Sequence, residues 1–253
     1  MELIGASLDG LLAGSNVEAA FDGPPLSRIP AGATVAVPLD GQELWAAGVT
    51  FTRSRQARKE ESYAPDFYDK VYVAERPELF VKASPGRVQG PGDPVAVRRD
   101  SAWNVPEPEL ALLADATGHL VAYSLGNDMS SRSIEGENPL YLPQAKVYRH
   151  SASVGPCWLL VADAPELSSL IIHLRITRSG TPLFEDEACL SAMRRTPREL
   201  LDWLFRAQEF PVGVALLTGT SIVPGQEISL GAGDVISIWI DQIGQLENVV
   251  EVF

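Results

Sequence analysis

Three acidic residues near the middle of the chain have the types and spacing of a metal site. Glu107 and Glu109 lie two positions apart in the apolar run 105–113, and residues two apart in a β-strand project from the same face. A second apolar run follows the turn-like residues 115–118 and leads to Asp128. Folding this hairpin about its turn places Glu107 beside the end that leads to Asp128. The sequence therefore predicts three carboxylates at one rim.

A cluster of three carboxylates needs a cation, because charges this close together repel one another strongly. Oxygen ligands without histidine or cysteine favour Mg²⁺ or Mn²⁺ over Zn²⁺. The alternative is that the two glutamates form the solvated face of an edge strand and that Asp128 belongs to a turn. The flanking Pro106 and Pro108 fit such an edge, where no ladder donor is needed. The hairpin geometry favours the metal site.

Short strands divided by glycine and proline are the elements that must position this cluster. One helix is also indicated, since Thr196 suits the N-cap, Pro197 the first helical position and Glu199 the third. The chain has neither a βαβ rhythm nor a glycine-rich dinucleotide loop. The predicted fold class is therefore a β-dominated α+β protein, a sandwich or roll with peripheral helices. The predicted strands span residues 79–83, 94–98, 107–113, 119–126, 157–162, 170–177, 213–218 and 234–240.

Two segments in the first third of the chain differ from the rest. Residues 1–45 alternate short apolar runs with turn residues, which predicts a small β-rich N-terminal segment rather than a full domain. The segment 52–70 starts with a polar stretch without an apolar stripe and continues into aromatic residues. This pattern is typical of a mobile cover over a site. A solvated surface helix is the equally favoured alternative.

The composition excludes some classes of function. The formal net charge is −13, whereas binding to nucleic acid needs a basic surface, so no nucleic-acid partner is expected. No apolar stretch is long enough to cross a bilayer, and the N-terminus lacks the pattern of a signal peptide, so we expect a cytoplasmic protein without a membrane partner. The two cysteines predict no disulfide framework, and Cys157 lies in an apolar run where a buried structural role is expected.

Six short motifs, taken in order, resemble those of the fumarylacetoacetate hydrolase superfamily. The resemblance covers residues 46–253, which implies that this part is a catalytic domain of that type. It implies a mixed β-sandwich roll, a homodimer or homotetramer, and a divalent ion on Glu107, Glu109 and Asp128. The motifs are 48–51 (GVTF), 80–82 (FVK), 106–110 (PEPEL), 126–132 (GNDMSSR), 144–146 (QAK) and 217–220 (LTGT).

Within this superfamily the chain is most similar to the branch that dehydrates 2-keto-3-deoxy-D-arabinonate. The similarity lies in residues 74–80 (AERPELF), 103–106 (WNVP) and 134–148 (IEGENPLYLPQAKVY). It implies that Lys146 and Glu78 are the active-site lysine and glutamate. The sequence departs from the family at Ser133, where the family usually has aspartate. This difference affects the expected orientation of the neighbouring Arg132. The residues that we expect to bind the substrate are Lys82, Arg132, Thr220 and Arg53.

The resemblance implies a magnesium-dependent dehydration of a 2-keto-3-deoxy-pentonate to 2,5-dioxopentanoate. The keto and carboxylate oxygens of such a small 2-keto carboxylate can chelate the ion, which polarises the keto group and acidifies the C3 protons. Lys146 is expected to remove a proton or to orient the substrate. Glu78 is expected to protonate or position the leaving C4 hydroxyl. Backbone amides around 218–220 and the Thr220 hydroxyl are candidates for holding a substrate oxygen.

The main alternative is hydrolysis of a carbon–carbon bond in an acylpyruvate or fumarylpyruvate. That reaction uses the same chelate but needs a positioned water, and hydrolases of the superfamily carry a His-Glu pair in the cover segment. Here residues 58–61 read Arg-Lys-Glu-Glu, and the histidines are His119, His150 and His173. None of these histidines lies in the cover segment, which favours elimination over hydrolysis, although a glutamate alone could activate water. Isomerisation or decarboxylation of related keto acids stays open.

A non-enzymatic domain is the remaining alternative, with a metal that stabilises the fold or holds a ligand. It predicts tight metal binding and a 2-keto acid pocket without turnover. Lys146 and Glu78 argue against it, because a binding module needs no proton-transfer groups.

Overall fold

The computed structural model describes residues 7–14, 35–52 and 70–253, and β-strands dominate this part of the chain. Arg53 and most of the predicted cover segment lie outside the described residues. The helices are α1 (Leu8–Leu12), α2 (Arg132–Glu137), α3 (Leu142–Lys146) and α4 (Pro197–Leu204). The strands are β1 (Glu43–Gly48), β2 (Glu78–Ala83), β3 (Val95–Val97), β4 (Asn104–Val105), β5 (Pro108–Ala114), β6 (Leu120–Asp128), β7 (Ser130–Ser131), β8 (Ala152–Leu160), β9 (Ile171–Arg178), β10 (Thr181–Cys189), β11 (Val214–Leu217), β12 (Val235–Ile240) and β13 (Gly244–Val252).

Two larger sheets and one strand pair organise these strands. The six-stranded sheet has the order β2-β1-β11-β5-β6-β8, and the five-stranded sheet has the order β10-β9-β12-β13-β3. Strands β1 and β11 run parallel, as do β3 and β13, whereas the neighbours β5, β6 and β8 are antiparallel. The mixed sheets confirm the predicted β-dominated fold class.

The main hydrophobic core lies between the two larger sheets. Residues of β9 alternate between exposed and buried, as expected for a sheet with one face in the core. Leu174 and Ile238 of the five-stranded sheet pack in one cluster with Leu110 and Leu112 of β5. The opposite face of the six-stranded sheet is lined with smaller side chains, which include Ala46, Ala111, Ala152 and Ala215. The predicted carboxylates lie on that second face, because Glu109 and Ala111 are two residues apart.

The sequence located eight strands and the principal helix. Each predicted strand has a counterpart, with the largest shift where β8 spans Ala152–Leu160 instead of 157–162. Helix α4 begins as predicted, with the Thr196 side chain accepting a hydrogen bond from the Glu199 N–H at 3.1 Å. Strands β1, β4, β7, β10 and β13 and helices α1, α2 and α3 were missed.

The expectation for Cys157 was wrong, because its side chain is exposed. It lies on β8, an edge strand of the six-stranded sheet, in the half of the strand whose residues are exposed or only partly buried. An apolar run on an edge strand therefore does not bury all of its side chains.

The N-terminal residues that the structure describes pack on the main sheet. Leu8–Leu12 is helical, and Leu12 is fully buried in a cluster with Leu113 and Ala122. Strand β1 starts at Glu43, within the predicted segment 1–45. The division between that segment and a domain of residues 46–253 stays a prediction. Among the described residues, no helix has the length and apolar character needed to span a membrane.

Candidate active site

The β5–β6 hairpin brings the three predicted carboxylates together. Glu109 pairs with Gly126 across the hairpin, and the Asp128 N–H donates to the Glu107 carbonyl at 3.0 Å. Each of the three side chains offers an oxygen that lies within 4.8 Å of the others, and none is more than 3% exposed. The predicted convergence is therefore observed, and the alternative of a solvated strand face is wrong.

The turn that joins β5 to β6 is fixed by the carboxylate of Asp115. Its Oδ1 accepts hydrogen bonds from the backbone N–H groups of Thr117 and His119 at 2.8 and 3.0 Å. Gly118 has a φ of +83°, a conformation that favours glycine. This local chemistry sets the register of the hairpin and thus the meeting of the carboxylates at its far end.

Three buried cations face the three carboxylates. The Nζ of Lys146 lies 2.7 Å from Oε2 of Glu107 and 3.1 Å from Oδ2 of Asp128. The guanidinium of Arg132 lies 2.9 Å from Oε1 of Glu107, and the Nζ of Lys82 lies 2.6 Å from Oδ1 of Asp128. These contacts compensate the charges of Glu107 and Asp128, as is expected of charges removed from water.

Glu109 is the carboxylate with the least compensation by cations. Burial raises its pKa well above the usual range, and the charges of Asp128 and Glu107 raise it further. The Gly219 N–H donates to its Oε2 at 2.6 Å, which opposes this shift in part. A divalent cation on the three oxygen ligands would favour the ionised form. The free volume of the cleft beside them is about 10 Å³, which is about enough for one water molecule or ion. The residues therefore fit a small hard cation such as Mg²⁺.

The predicted active-site glutamate and lysine line one cleft with the metal ligands. The carboxylate of Glu78 packs against the backbone of Gly48, since a Cβ placed there would lie 2.1 Å from Glu78 Oε2. Gly48 and Glu78 are paired between β1 and β2. The lining residues are Ala47, Gly48, Val49, Glu78, Phe80, Glu107, Glu109, Asp128, Arg132, Leu142, Lys146, Gly219 and Thr220.

Lys82 lies behind this cleft and does not line it. Its side chain is fully buried, and its ammonium group contacts Asp128 and the backbone carbonyls of Met129 and Lys146. These three partners use the three N–H donors of a lysine. The geometry therefore suits a residue that positions Asp128 and Lys146.

The 218–220 loop uses its polar groups within the protein. The Thr218 N–H donates to the Leu110 carbonyl at 3.1 Å, and the Gly219 N–H donates to Glu109. The Thr220 hydroxyl exchanges hydrogen bonds with the backbone of Ile222 at 3.1 and 3.3 Å. The loop therefore orients Glu109, one of the predicted metal ligands, a role that sequence reasoning did not assign to it.

The serine at position 133 is accommodated by a cluster of hydroxyl groups. Ser133 Oγ lies 2.8 Å from Ser101 Oγ, which also accepts a hydrogen bond from Ser131 at 2.7 Å. The Arg132 N–H donates to the Trp103 carbonyl at 2.9 Å, and the guanidinium still reaches the metal-ligand cluster. Arg132 is therefore oriented toward the site without a neighbouring aspartate.

None of the three histidines of the chain lines the cleft. His119 is 73% exposed beside Asp115, at the far end of the hairpin. His150 pairs with Glu251 at 2.6 Å, and His173 stacks on the ring of Trp239 at 4.7 Å. The structure thus gives no histidine near the carboxylates that could activate a water molecule.

Two further residues of the site were missed by sequence reasoning. The Ser130 hydroxyl accepts a hydrogen bond from Lys146 Nζ at 2.5 Å. Tyr148 is buried beside the cluster, where burial and the charge of Asp128 raise the pKa of its hydroxyl. Ser130 lies two residues after Asp128 in the quoted motif, so its position carried a signal. No sequence signal placed Tyr148 in the site, because its position depends on tertiary packing.

Comparison with known proteins agrees with this geometry. The family described as fumarylacetoacetate (FAA) hydrolase C-terminal matches residues 45–251. The chain belongs to this family. Within the family it is 49% identical over 214 residues to the probable 2-keto-3-deoxyxylonate dehydratase of Haloferax volcanii, which covers 85% of this chain and 74% of that protein. It is 40% identical over 221 residues to the 2-dehydro-3-deoxy-D-arabinonate dehydratase of Saccharolobus solfataricus, with coverages of 86% and 74%.

A solved structure of a family member has the same fold and a ligand in place. It is the 2-keto-3-deoxy-D-arabinonate dehydratase complexed with magnesium and 2,5-dioxopentanoate, which aligns with a TM-score of 0.79 and 38% identity. The alignment covers 85% of this chain and 75% of that one. The resemblance predicted from the motifs is confirmed.

Proposed function

We propose that this family member is a magnesium-dependent dehydratase that converts a 2-keto-3-deoxy-pentonate to 2,5-dioxopentanoate. The observation that carries this proposal is the buried set of Glu107, Glu109 and Asp128, with Lys146 in contact with two of the three. The two dehydratase relatives and the magnesium complex support the choice of reaction and metal.

Each residue of the cleft has a role in this proposal. Glu107, Glu109 and Asp128 hold the cation, which when bound supplies Lewis-acid polarisation of the substrate keto group. Lys146, whose charged form would be disfavoured beside the cation, accepts a proton from C3 of the substrate, and Glu78 donates a proton to the leaving C4 hydroxyl. Loss of the C3 proton and the C4 hydroxyl removes one water and leaves a C3–C4 double bond conjugated to the keto group. Transfer of a proton from C5 to C3 moves this double bond to C4–C5, and the resulting enol tautomerises to the 5-aldehyde.

The remaining predicted substrate contacts divide into two groups. We propose that Arg132 and Thr220 contact the substrate from the wall of the cleft. Arg132 donates to the substrate carboxylate, whereas the Thr220 hydroxyl, whose proton is used by the Ile222 carbonyl, accepts from a substrate hydroxyl. Lys82 acts on the same reaction by positioning Lys146, because its own donors already have partners. Arg53 stays a proposed substrate contact from outside the described residues.

Proton NMR of the purified protein with Mg²⁺ and 2-keto-3-deoxy-pentonate tests the proposal. We expect 2,5-dioxopentanoate to appear, and EDTA to abolish the reaction. A parallel sample contains an acylpyruvate. Release of pyruvate from the acylpyruvate alone would show that the protein is a carbon–carbon hydrolase. Metal binding without turnover of either substrate would favour a binding domain.

A Lys146→Met variant separates turnover from metal binding. We expect it to retain Mg²⁺, because the three carboxylates are unchanged, and to lose dehydration. Full activity of this variant would exclude Lys146 as the proton acceptor. We further propose a cytoplasmic location. We also propose that the protein is a homodimer or homotetramer, and light scattering after size-exclusion chromatography measures the mass of this assembly.

A further inference from the structure

A cavity apart from the active-site cleft is lined by basic residues, whereas the chain as a whole is acidic. Its volume is about 180 Å³, and its walls are Gly86, Arg87, Gln89, Arg149 and His150. Two arginines, a histidine and a glutamine therefore line one space, and no acidic residue lines it. This volume corresponds to roughly six water molecules in the liquid, so a small hydrated anion fits.

The two arginines of this cavity have no anionic partner among residues 7–14, 35–52 and 70–253. Neither guanidinium makes an ion pair or a hydrogen bond in that part of the protein, although Arg149 lies 5.9 Å from the ring centroid of Phe253. His150 pairs with Glu251 at 2.6 Å, so it adds no uncompensated positive charge. The positive charge of the cavity thus comes from Arg87 and Arg149. In a chain with a net charge of −13, two arginines that line one cavity and have no anionic partner in the described part of the chain mark a place where an anion is favoured.

The walls of the cavity are held by backbone hydrogen bonds. The Gln89 N–H donates to the Ala152 carbonyl at 2.9 Å, and the Val154 N–H donates to the Gln89 carbonyl at 3.0 Å. The His150 carbonyl accepts from the Ala96 N–H at 2.9 Å. The backbone at Gln89 and His150 is therefore already in place, which limits the entropic cost of binding a ligand here.

We propose that this cavity binds a small phosphate-type dianion between Arg87 and Arg149. A guanidinium presents parallel N–H donors that match two oxygens of a phosphate group, and two such forks can hold one dianion from both sides. Inorganic phosphate and a phosphate monoester share this chemistry.

The location of the cavity couples it to the active site. Arg87 follows Lys82 by five residues, and Arg149 follows Lys146 by three. Lys82 also donates a hydrogen bond to the Lys146 carbonyl. An anion that bridges the two arginines thus braces the two segments whose contact positions Lys146, and we expect phosphate to raise kcat. This coupling rests on the proposed function, whereas binding of the anion does not.

Isothermal titration calorimetry with inorganic phosphate tests the site on the full chain. The titration is performed at constant ionic strength and without divalent metal, so that binding of phosphate to Mg²⁺ does not contribute to the measured heat. We expect saturable binding of one phosphate per chain, with a dissociation constant on the order of 1 mM. Each of the variants Arg87→Met and Arg149→Met should weaken it by roughly tenfold, the loss of one charge-assisted contact. Glycerol phosphate in place of inorganic phosphate shows whether an ester fits.

The control is Arg206→Met, which removes the same charge from an exposed arginine stacked on Trp203. We expect it to leave phosphate affinity unchanged. Absence of saturable binding, or equal binding by the wild type and the Arg87→Met/Arg149→Met double variant, would refute the site. Phosphate that binds without changing kcat would refute the coupling. Both arginines are exposed, so the variants should fold, and circular dichroism verifies this.

Discussion

The ammonium nitrogen of Lys82 lies 2.6 Å from Oδ1 of Asp128, although three strands separate β2 from β6 in the sheet. Neighbouring strands are about 4.8 Å apart, so a flat sheet would hold these two strands roughly 19 Å apart, far beyond the reach of one lysine. The six-stranded sheet must therefore roll around its second face until its edge approaches β6. The small residues Ala46, Ala111 and Ala215 on that face leave room for the curvature.

Replacing Lys82 by methionine should destabilise the protein and impair catalysis. The change leaves a buried carboxylate with one cation fewer and deprives the Met129 and Lys146 carbonyls of their donor. Breaking a buried pair costs about 3–5 kcal/mol, so urea unfolding of the metal-free protein should show a loss of this order. At a temperature where the variant is folded, kcat should fall while KM changes little, because the lysine positions Lys146 behind the cleft. A Val81→Thr variant, at the exposed neighbouring position, is the control, and an increase in KM alone would instead indicate direct substrate binding.

Replacing Glu107 by glutamine should abolish the magnesium-dependent reaction. The carboxamide has one anionic oxygen fewer for the metal and for Lys146 and Arg132. We expect the affinity for Mn²⁺, measured by electron paramagnetic resonance, to fall by roughly 100-fold or more. Glu251→Gln removes the same charge outside the cleft and serves as the control. Unchanged activity of the Glu107 variant would exclude Glu107 from the site.

Replacing Gly48 by alanine should displace Glu78 without disturbing the metal ligands. The added Cβ would lie 2.1 Å from Glu78 Oε2, so the carboxylate has to move. A displacement of about 1 Å can cost 100-fold in rate, and we expect a fall in kcat of up to this size. The affinity for Mn²⁺ should stay unchanged, which separates this effect from general misfolding.

The matched control for this substitution is Gly231→Ala. Its new Cβ would be 3.7 Å from Arg178 Nη2, an ordinary contact distance. Equal kcat values for both alanine variants would show that the position of Glu78 does not matter to the reaction.

The Asp234–Arg178 pair should make the stability of the protein depend on pH in acid. Burial raises the pKa of Asp234, but hydrogen bonds from Arg178 at 2.7 and 2.8 Å and from the Gly231 N–H lower it further than burial raises it. The folded-state pKa is thus below the unfolded value near 3.9. This contribution is present above the unfolded pKa and is lost as the pH falls through the folded pKa.

An Asp234→Asn variant tests this dependence. At pH 7 its free energy of unfolding should be lower than that of the wild type by about 1.5–3 kcal/mol, the range for hydrogen bonds to a charged group. Denaturant unfolding should show the difference shrinking between pH 4 and pH 2. A difference that is constant over this pH range would mean that Asp234 has the same pKa in the folded and the unfolded protein.

The part of the site that could be predicted is the part that one hairpin determines. Glu107, Glu109 and Asp128 are linked by two adjacent strands and a short turn, so alternation and turn chemistry were enough to bring them together. The role of Lys82 could not be predicted in this way. Its contact with Asp128 depends on the curvature of the whole sheet, which no local pattern encodes.

The missed strands have similar physical reasons. Strand β10 carries Glu185, Asp186 and Glu187 in succession at an edge of its sheet, so its charge hides the pattern of a strand. Strand β13 alternates more clearly, with Leu246 and Val250 buried, and this alternation was an available signal. Helix α3 has five residues, too few for a helical period to appear.

The position of β11 has a consequence for the synthesis of the protein. It comes from residues 214–217, yet it lies between β1 and β5 in the middle of the six-stranded sheet. A nascent chain can form the β5–β6–β8 meander with its three carboxylates early. Strand β1, and with it β2, which carries Glu78 and Lys82, pairs into this sheet only after β11 has left the ribosome, because chains emerge from the N-terminus onward. Until then the three carboxylates lack Lys82 as a partner. We therefore expect free magnesium to stabilise the partly folded chain most at this stage of translation.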